Sequence, residues 1–139
     1  MLAILYRLSF KWSCIFFYVT IVLGLIFHIL VLVGIVPTDI IWGGRLQTSE
    51  EILQFELISI LTLSLLGIVI LGKQFSVKKR IQQLCTILLW LFAILFLLNT
   101  IGNLVAKNSL ETIIFTPITL ISAILCVRLA IEKHNSLVG

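Results

Sequence analysis

Charge is scarce in this chain of 139 residues: Asp, Glu, Lys and Arg together make up 12% of it, about half of the roughly 25% usual in a soluble domain. That is too little to coat a water-facing surface. With hydrophobic residues at 60%, the surface must face lipid instead. Ten basic against six acidic residues give a net charge of +4. The basic residues sit at the ends of apolar runs rather than on one face, which excludes a nucleic-acid binder. Cysteine is sparse and unpaired in spacing: Cys14, Cys85 and Cys126 form no C-x-x-C and no disulfide framework. Quinone-linked thiol oxidoreductases and vitamin K reductase-like bundles exchange electrons through a thiol pair, so both are excluded. There is no phosphate-binding glycine loop, Walker motif, nucleophile elbow or zincin motif.

What is present in abundance is long apolar runs. A helix needs about 20 mostly apolar residues to cross roughly 30 Å of hydrocarbon. Four runs of that order occur, at 12–36, 52–72, 84–106 and 113–131. Strands of a membrane barrel would alternate over about ten residues, whereas these runs are continuously apolar. The first run is far longer than a signal-peptide core of 7 to 15 residues and no A-x-A-like site follows it, so it is read as a retained span. Before it, residues 1–10 form a short apolar prelude carrying Arg7, placed in the interface with Lys11.

Orientation follows from where Lys and Arg fall, because cytoplasmic segments near span ends carry their excess. Arg7, Lys11, Lys73, Lys78, Lys79, Arg80, Arg128 and Lys133 lie on one side, and Arg45 and Lys107 on the other. Both termini are therefore expected in the cytoplasm. Asp39, Glu50, Glu51, Glu56 and Glu111 all fall on the opposite, outer side. So strong a bias argues against dual topology, and with it against the smallest antiporter-like multidrug exporters. The basic run 78–80 is read mainly as a topology signal, with contact to anionic lipid as the alternative. The two histidines, His28 and His134, lie on opposite sides of the membrane, so no metal site and no cofactor is expected.

Helix starts on the outer side carry caps. Thr48-Ser49-Glu50-Glu51 fits the T-x-x-E capping box, and Asn108 to Glu111 offers a related polar cap. Carboxylates in these first turns also suit the helix dipole. In lipid, helices associate through small residues that let backbones approach and through a few polar side chains. Thr112, Thr116, Thr119, Ala123, Cys126 and Ala130 recur at steps of three or four and should turn the fourth span's small face inward. Thr20, Gly24 and His28 mark such a face in the first span, and Glu56, Ser59, Leu63 and Gly67 in the second. Pro117 falls inside the fourth run, where the missing N–H should kink its outer turn.

Counting 1.5 Å per residue inward from the outer boundaries places His28 about 12 Å deep and Glu56 about 6 Å deep. Asn99 and Asn103 come at about 10 and 5 Å, and Thr116 and Thr119 in the same layer. All four helices are thus expected to feed one polar slab in the outer leaflet, while the cytoplasmic half offers mainly Ser, Thr and Cys. An ionisable group within a membrane costs about 2.5 to 3.5 kcal/mol on insertion scales, so Glu56 should face the interior and have partners. The candidates are His28, Arg45, Asn99 and Asn103. Three roles fit: a buried network that fixes helix register, polar anchors in a pocket for a lipid-like molecule, or a proton-exchanging pair. The loop 37–47 concentrates Pro37, Asp39, Trp42, Gly43, Gly44 and Arg45. Trp42 suits the interface, the glycine pair allows a tight turn, and Arg45 can fold back over the slab or reach lipid phosphate. Asp39 and Trp42 are candidate caps of the site.

The run Ile41-Trp42-Gly43-Gly44-Arg45-Leu46, followed by Ser49-Glu50-Glu51, Phe55-Glu56 and later Asn99-Thr100-Ile101-Gly102-Asn103, resembles a group of short four-span bacterial membrane proteins. The resemblance covers most of the chain and implies a bacterial inner-membrane protein, without a particular activity. An acidic residue early in the second of four short spans is also similar to DoxX-like proteins, a likeness of architecture from which function does not transfer.

Together these observations predict one all-α membrane domain over 1–139, a four-helix transmembrane bundle with both termini cytoplasmic. The expected function is binding rather than catalysis: an apolar small molecule or lipid held by His28, Arg45, Glu56, Asn99 and Asn103, or a role as accessory subunit. The alternative is a membrane enzyme or proton-coupled carrier working through Glu56 and His28. The expected partners are the bilayer, such a ligand, and a second copy or another membrane protein; nucleic acid is not among them.

Overall fold

The computed structural model describes residues 2–37, 46, 48–106, 109 and 111–133. Among them every regular element is helical and no strand occurs. A short helix α1 (Leu2–Arg7) precedes α2 (Phe10–Leu32), α3 (Ser49–Phe75) and α4 (Lys79–Leu104); one π-helical turn (Glu111–Phe115) then leads into α5 (Thr116–Ala130). Four segments, α2, α3, α4 and Thr112–Ala130, are long and apolar enough to cross a membrane. The all-α, four-span architecture expected from the runs is the one observed.

Local chemistry explains the ends. α2 stops four residues short of the apolar run's end because Gly34 takes φ 77°. Its N–H bonds Val31 O at 2.9 Å and the next N–H, of Ile35, bonds Leu30 O at 2.9 Å. This is the Schellman arrangement, and Gly tolerates its left-handed residue without a Cβ penalty. The run through Val36 hides that stop, since apolar residues continue past it. α3 starts on the expected capping box: Glu51 N–H donates to Thr48 Oγ1 and Thr48 N–H donates to Glu51 Oε2, both at 3.2 Å. The corresponding box at Asn108 lies outside the described residues. Pro117 occupies the first turn of α5, within the span Thr112–Ala130 and directly after the π-helical turn that interrupts its regular helix.

The helices pack as a ring, α2 on α3, α3 on α4, α4 on α5 and α5 on α2, with α4 and α5 the most extensive pair. The small stripe of the fourth span does turn inward: Ala123, Cys126 and Ala130 are buried and Thr112, Thr116 and Thr119 half-buried. Phe17, Leu66, Ile70, Leu89 and Leu129 fill the core. Outside, Trp12, Leu61, Ile68 and Ile113 are each about two-thirds exposed or more. Such a continuous apolar belt is stable only in lipid. One end of the bundle bears Lys11, Lys73, Lys78, Lys79, Arg80 and Arg128, and the other Glu50, Glu51 and Glu56. These are called the basic and acidic ends.

Candidate functional site

α2 and α3 run antiparallel, and small residues set how closely they approach. A Cβ on Gly24 would lie 2.9 Å from Leu63 Cδ1, and one on Gly67 3.8 Å from Ile21 Cδ1. Toward the basic end the Tyr18 hydroxyl donates to Gln74 Oε1 at 2.6 Å. Toward the acidic end the same register brings His28 Nδ1 to 2.5 Å from Glu56 Oε2. Glu56 is fully buried and the His28 side chain 17% exposed. A carboxylate at this depth has to face inward with a partner, and the fold supplies His28. Phe27 lies beside them, its ring 5.6 Å from both the His28 and the Phe115 rings.

A second polar group lies between α4 and α5 at the same end. The hydroxyls of Thr100 and Thr119 meet at 2.9 Å, and Asn103 Nδ2 donates to Thr119 Oγ1 at 3.5 Å. Thr112 Oγ1 donates to Asn103 O at 3.0 Å. Phe27, packed on both His28 and Phe115, joins this group to the His28–Glu56 pair through aromatic contact. Asn99 stands apart. Its side chain is exposed on the lipid-facing side of α4, so the single slab expected from depth divides into an α2–α3 pair, an α4–α5 group and an outlying amide. Depth along a helix does not fix contact: Asn99, one turn deeper than Asn103, is exposed. Arg45, Asp39 and Trp42 lie outside the described residues.

The basic end holds what the sequence reading missed. Expected to offer mainly Ser, Thr and Cys, it buries Lys73, Gln82 and Arg128, each 3 to 5% exposed. Lys73 Nζ donates to Thr86 Oγ1 at 2.9 Å and to Glu132 O at 3.0 Å. Gln82 Nε2 donates to the carbonyls of Lys73 at 2.8 Å and Ser76 at 2.9 Å, closing the carbonyl end of α3. Arg128 donates from Nε to Leu8 O at 2.7 Å and from Nη1 to Glu132 Oε2. The available signal was spacing: Lys73 and Gln82 flank a tight connection, and Arg128 with Glu132 is an i, i+4 pair. Cys14, Cys85 and Cys126 are free and buried. No group of three His, Cys, Asp or Glu among the described residues is placed to hold a metal.

An open groove of about 350 Å³ runs between α3 and α4, lined by Thr62, Leu65, Leu88, Leu91, Phe92 and Leu95. No family model matches the chain, and neither a curated protein nor a solved structure shows significant similarity to it.

Proposed function

We propose that the chain is an integral protein of a bacterial inner membrane, with both termini in the cytoplasm, that binds a lipid-like or apolar small molecule in the outer leaflet. This reading places the acidic end outside, in keeping with the eight basic residues gathered at the opposite end. It agrees with the resemblance to short four-span bacterial proteins and with the DoxX-like placement of Glu56. The observation that carries it is the His28–Glu56 pair, a fully buried carboxylate held at 2.5 Å by an imidazole between two membrane-spanning helices. Ionisable groups at such depth mark functional positions by default because their insertion is costly. Asn103 and the threonines beside it offer further hydrogen-bonding atoms at the same level.

Native mass spectrometry of protein extracted in mild detergent, wild type beside Glu56→Gln, tests it. A discrete bound species present on the wild type and lost from a folded variant is expected. Two folded forms that both lack any bound species would sink the reading. A second reading, proton exchange, is favoured by the short nitrogen-to-oxygen contact, which needs a proton between the two atoms. Under it, Glu56→Gln retains the bound species and loses pH-driven uptake in proteoliposomes.

A further inference from the structure

We propose that the groove between α3 and α4 is the seat of the ligand's apolar chain, and that Asn99 hydrogen-bonds its polar group at the groove's outer end. This inference rests on the lipid-binding reading above and narrows it to a single-chain amphiphile that enters sideways from the bilayer. Leu88, Leu91 and Leu95 supply the α4 wall of the groove. Asn99 is one turn beyond Leu95 on the same side of the helix, since residues four apart share a face. From Leu88 to Asn99 the wall extends about 16 Å, the length of an extended chain rather than of a compact solute.

The polar chemistry narrows the choice of occupant. Within the groove, the Thr62 hydroxyl already donates to Ile58 O at 2.7 Å on its own helix. Asn99 makes no hydrogen bond with any described residue and is exposed. Exposed apolar side chains continue past it to Leu104 and Val105, so the amide stands about 9 Å inside the apolar belt. Hydrocarbon tails offer an amide neither a donor nor an acceptor. A hydroxyl at the end of an aliphatic chain offers both, with the chain lying in the groove below. Gly102, one turn further out, leaves open space where a Cβ would stand, so a head group meets no side chain there.

The test uses the full-length protein in phosphatidylcholine vesicles with a diazirine-bearing sixteen-carbon alcohol as probe. Labelled residues are mapped by peptide mass spectrometry with and without excess unlabelled alcohol. Labelling of Thr62, Leu65, Leu91 and Leu95 that is saturable, and several times stronger than labelling of Leu23 on the lipid face of α2, is expected. Asn99→Leu, at an exposed position where the fold does not depend on the amide, should weaken the saturable part about three- to twentyfold, the range of one hydrogen bond in a membrane. Uniform, non-saturable labelling overturns the inference, as does a cross-link between two copies through Leu91, which would make a second chain the occupant. Native mass spectrometry separates this inference from its premise. A species lost with Glu56→Gln but kept at full occupancy with Asn99→Leu ends the groove assignment and leaves the site at His28–Glu56 standing; a species lost with neither ends both.

Discussion

His28 Nδ1 and Glu56 Oε2 meet at 2.5 Å where α2 and α3 lie close together at Gly24, a position at which a Cβ would stand 2.9 Å from Leu63 Cδ1. The pair is therefore a product of helix packing as much as of its own chemistry. Gly24, one turn below His28 on α2, sets the approach, and the carboxylate needs no long arm. The same closeness removes water from Glu56, so whatever binds at this level meets an imidazole and a carboxylate that already satisfy one another.

Removing one partner should cost more than muting it. Glu56→Leu leaves the buried imidazole nitrogen without its partner and is expected to lower unfolding free energy by about 1 to 3 kcal/mol. Glu56→Gln keeps a hydrogen-bonding group in place and should cost less than about 1 kcal/mol. Unfolding in mixed micelles of increasing sodium dodecyl sulfate, followed by circular dichroism, measures both. The cycle with His28→Leu should show a coupling above about 0.5 kcal/mol. Strictly additive single variants would mean that the contact does not stabilise the bundle.

Glycine positions that look alike in sequence should differ sharply under the same substitution. A Cβ at Gly72 would stand 2.8 Å from Cys85 Sγ, and Cys85 is itself buried, so Gly72→Ala is expected to destabilise by about 1 to 3 kcal/mol. Cys85→Ala should restore most of that loss, because it removes the atom in the way. At Gly67 the nearest side-chain atom is 3.8 Å off, and Gly67→Ala should be neutral or slightly stabilising through its helix propensity. Detergent unfolding midpoints of the three single variants and of the Gly72→Ala, Cys85→Ala double variant decide the matter, and equal losses at the two glycines would contradict it.

The sequence carried the architecture because span length, caps and small-residue stripes are local properties. The four runs, the Thr48–Glu51 box and the inward face of Ala123, Cys126 and Ala130 all follow from spacing along one helix. What spacing does not encode is rotation against neighbours. Asn99 and Asn103 are one turn apart on the same helix, yet Asn103 reaches Thr119 while Asn99 is exposed, a difference set by where α5 packs. Lys73 and Arg128 read as topology markers because charge at a span end has that meaning in the absence of partners. Their burial depends on Thr86, Glu132 and the main chain at Leu8, contacts made 4 to 120 residues away. Gly34 was legible in principle, since a glycine followed within three residues by Pro37 is a helix stop, but the apolar residues around it concealed the signal.

Thr48→Ala removes the hydroxyl that receives the Glu51 N–H and should cost about 1 kcal/mol, the usual value of an N-cap. It should not alter ligand occupancy, because the cap lies two turns from Glu56. A variant that keeps its unfolding midpoint but loses a bound species would instead place the N-terminal turn of α3 within the site.

Arg128 governs α1. Its Nε donates to Leu8 O at 2.7 Å, its Nη1 to the Glu132 carboxylate, and its guanidinium carbon lies 5.5 Å from the centre of the Tyr6 ring. The Tyr6 hydroxyl in turn donates to Ile131 O at 3.1 Å. One planar cation thus ties the first helix to the last. Lysine cannot reproduce the arrangement, since a single ammonium does not present two donors in a fixed plane or stack on an aromatic face. Arg128→Lys is therefore expected to free α1 while leaving the four spans assembled, and Arg128→Ala to do so more completely. Hydrogen exchange read by mass spectrometry should show the amides of residues 5–8 exchanging about tenfold faster, equivalent to roughly 1.4 kcal/mol of lost local stability, with α3 and α4 unchanged. Unaltered exchange in this segment would mean that α1 is held by its apolar side chains in the interface and not by Arg128.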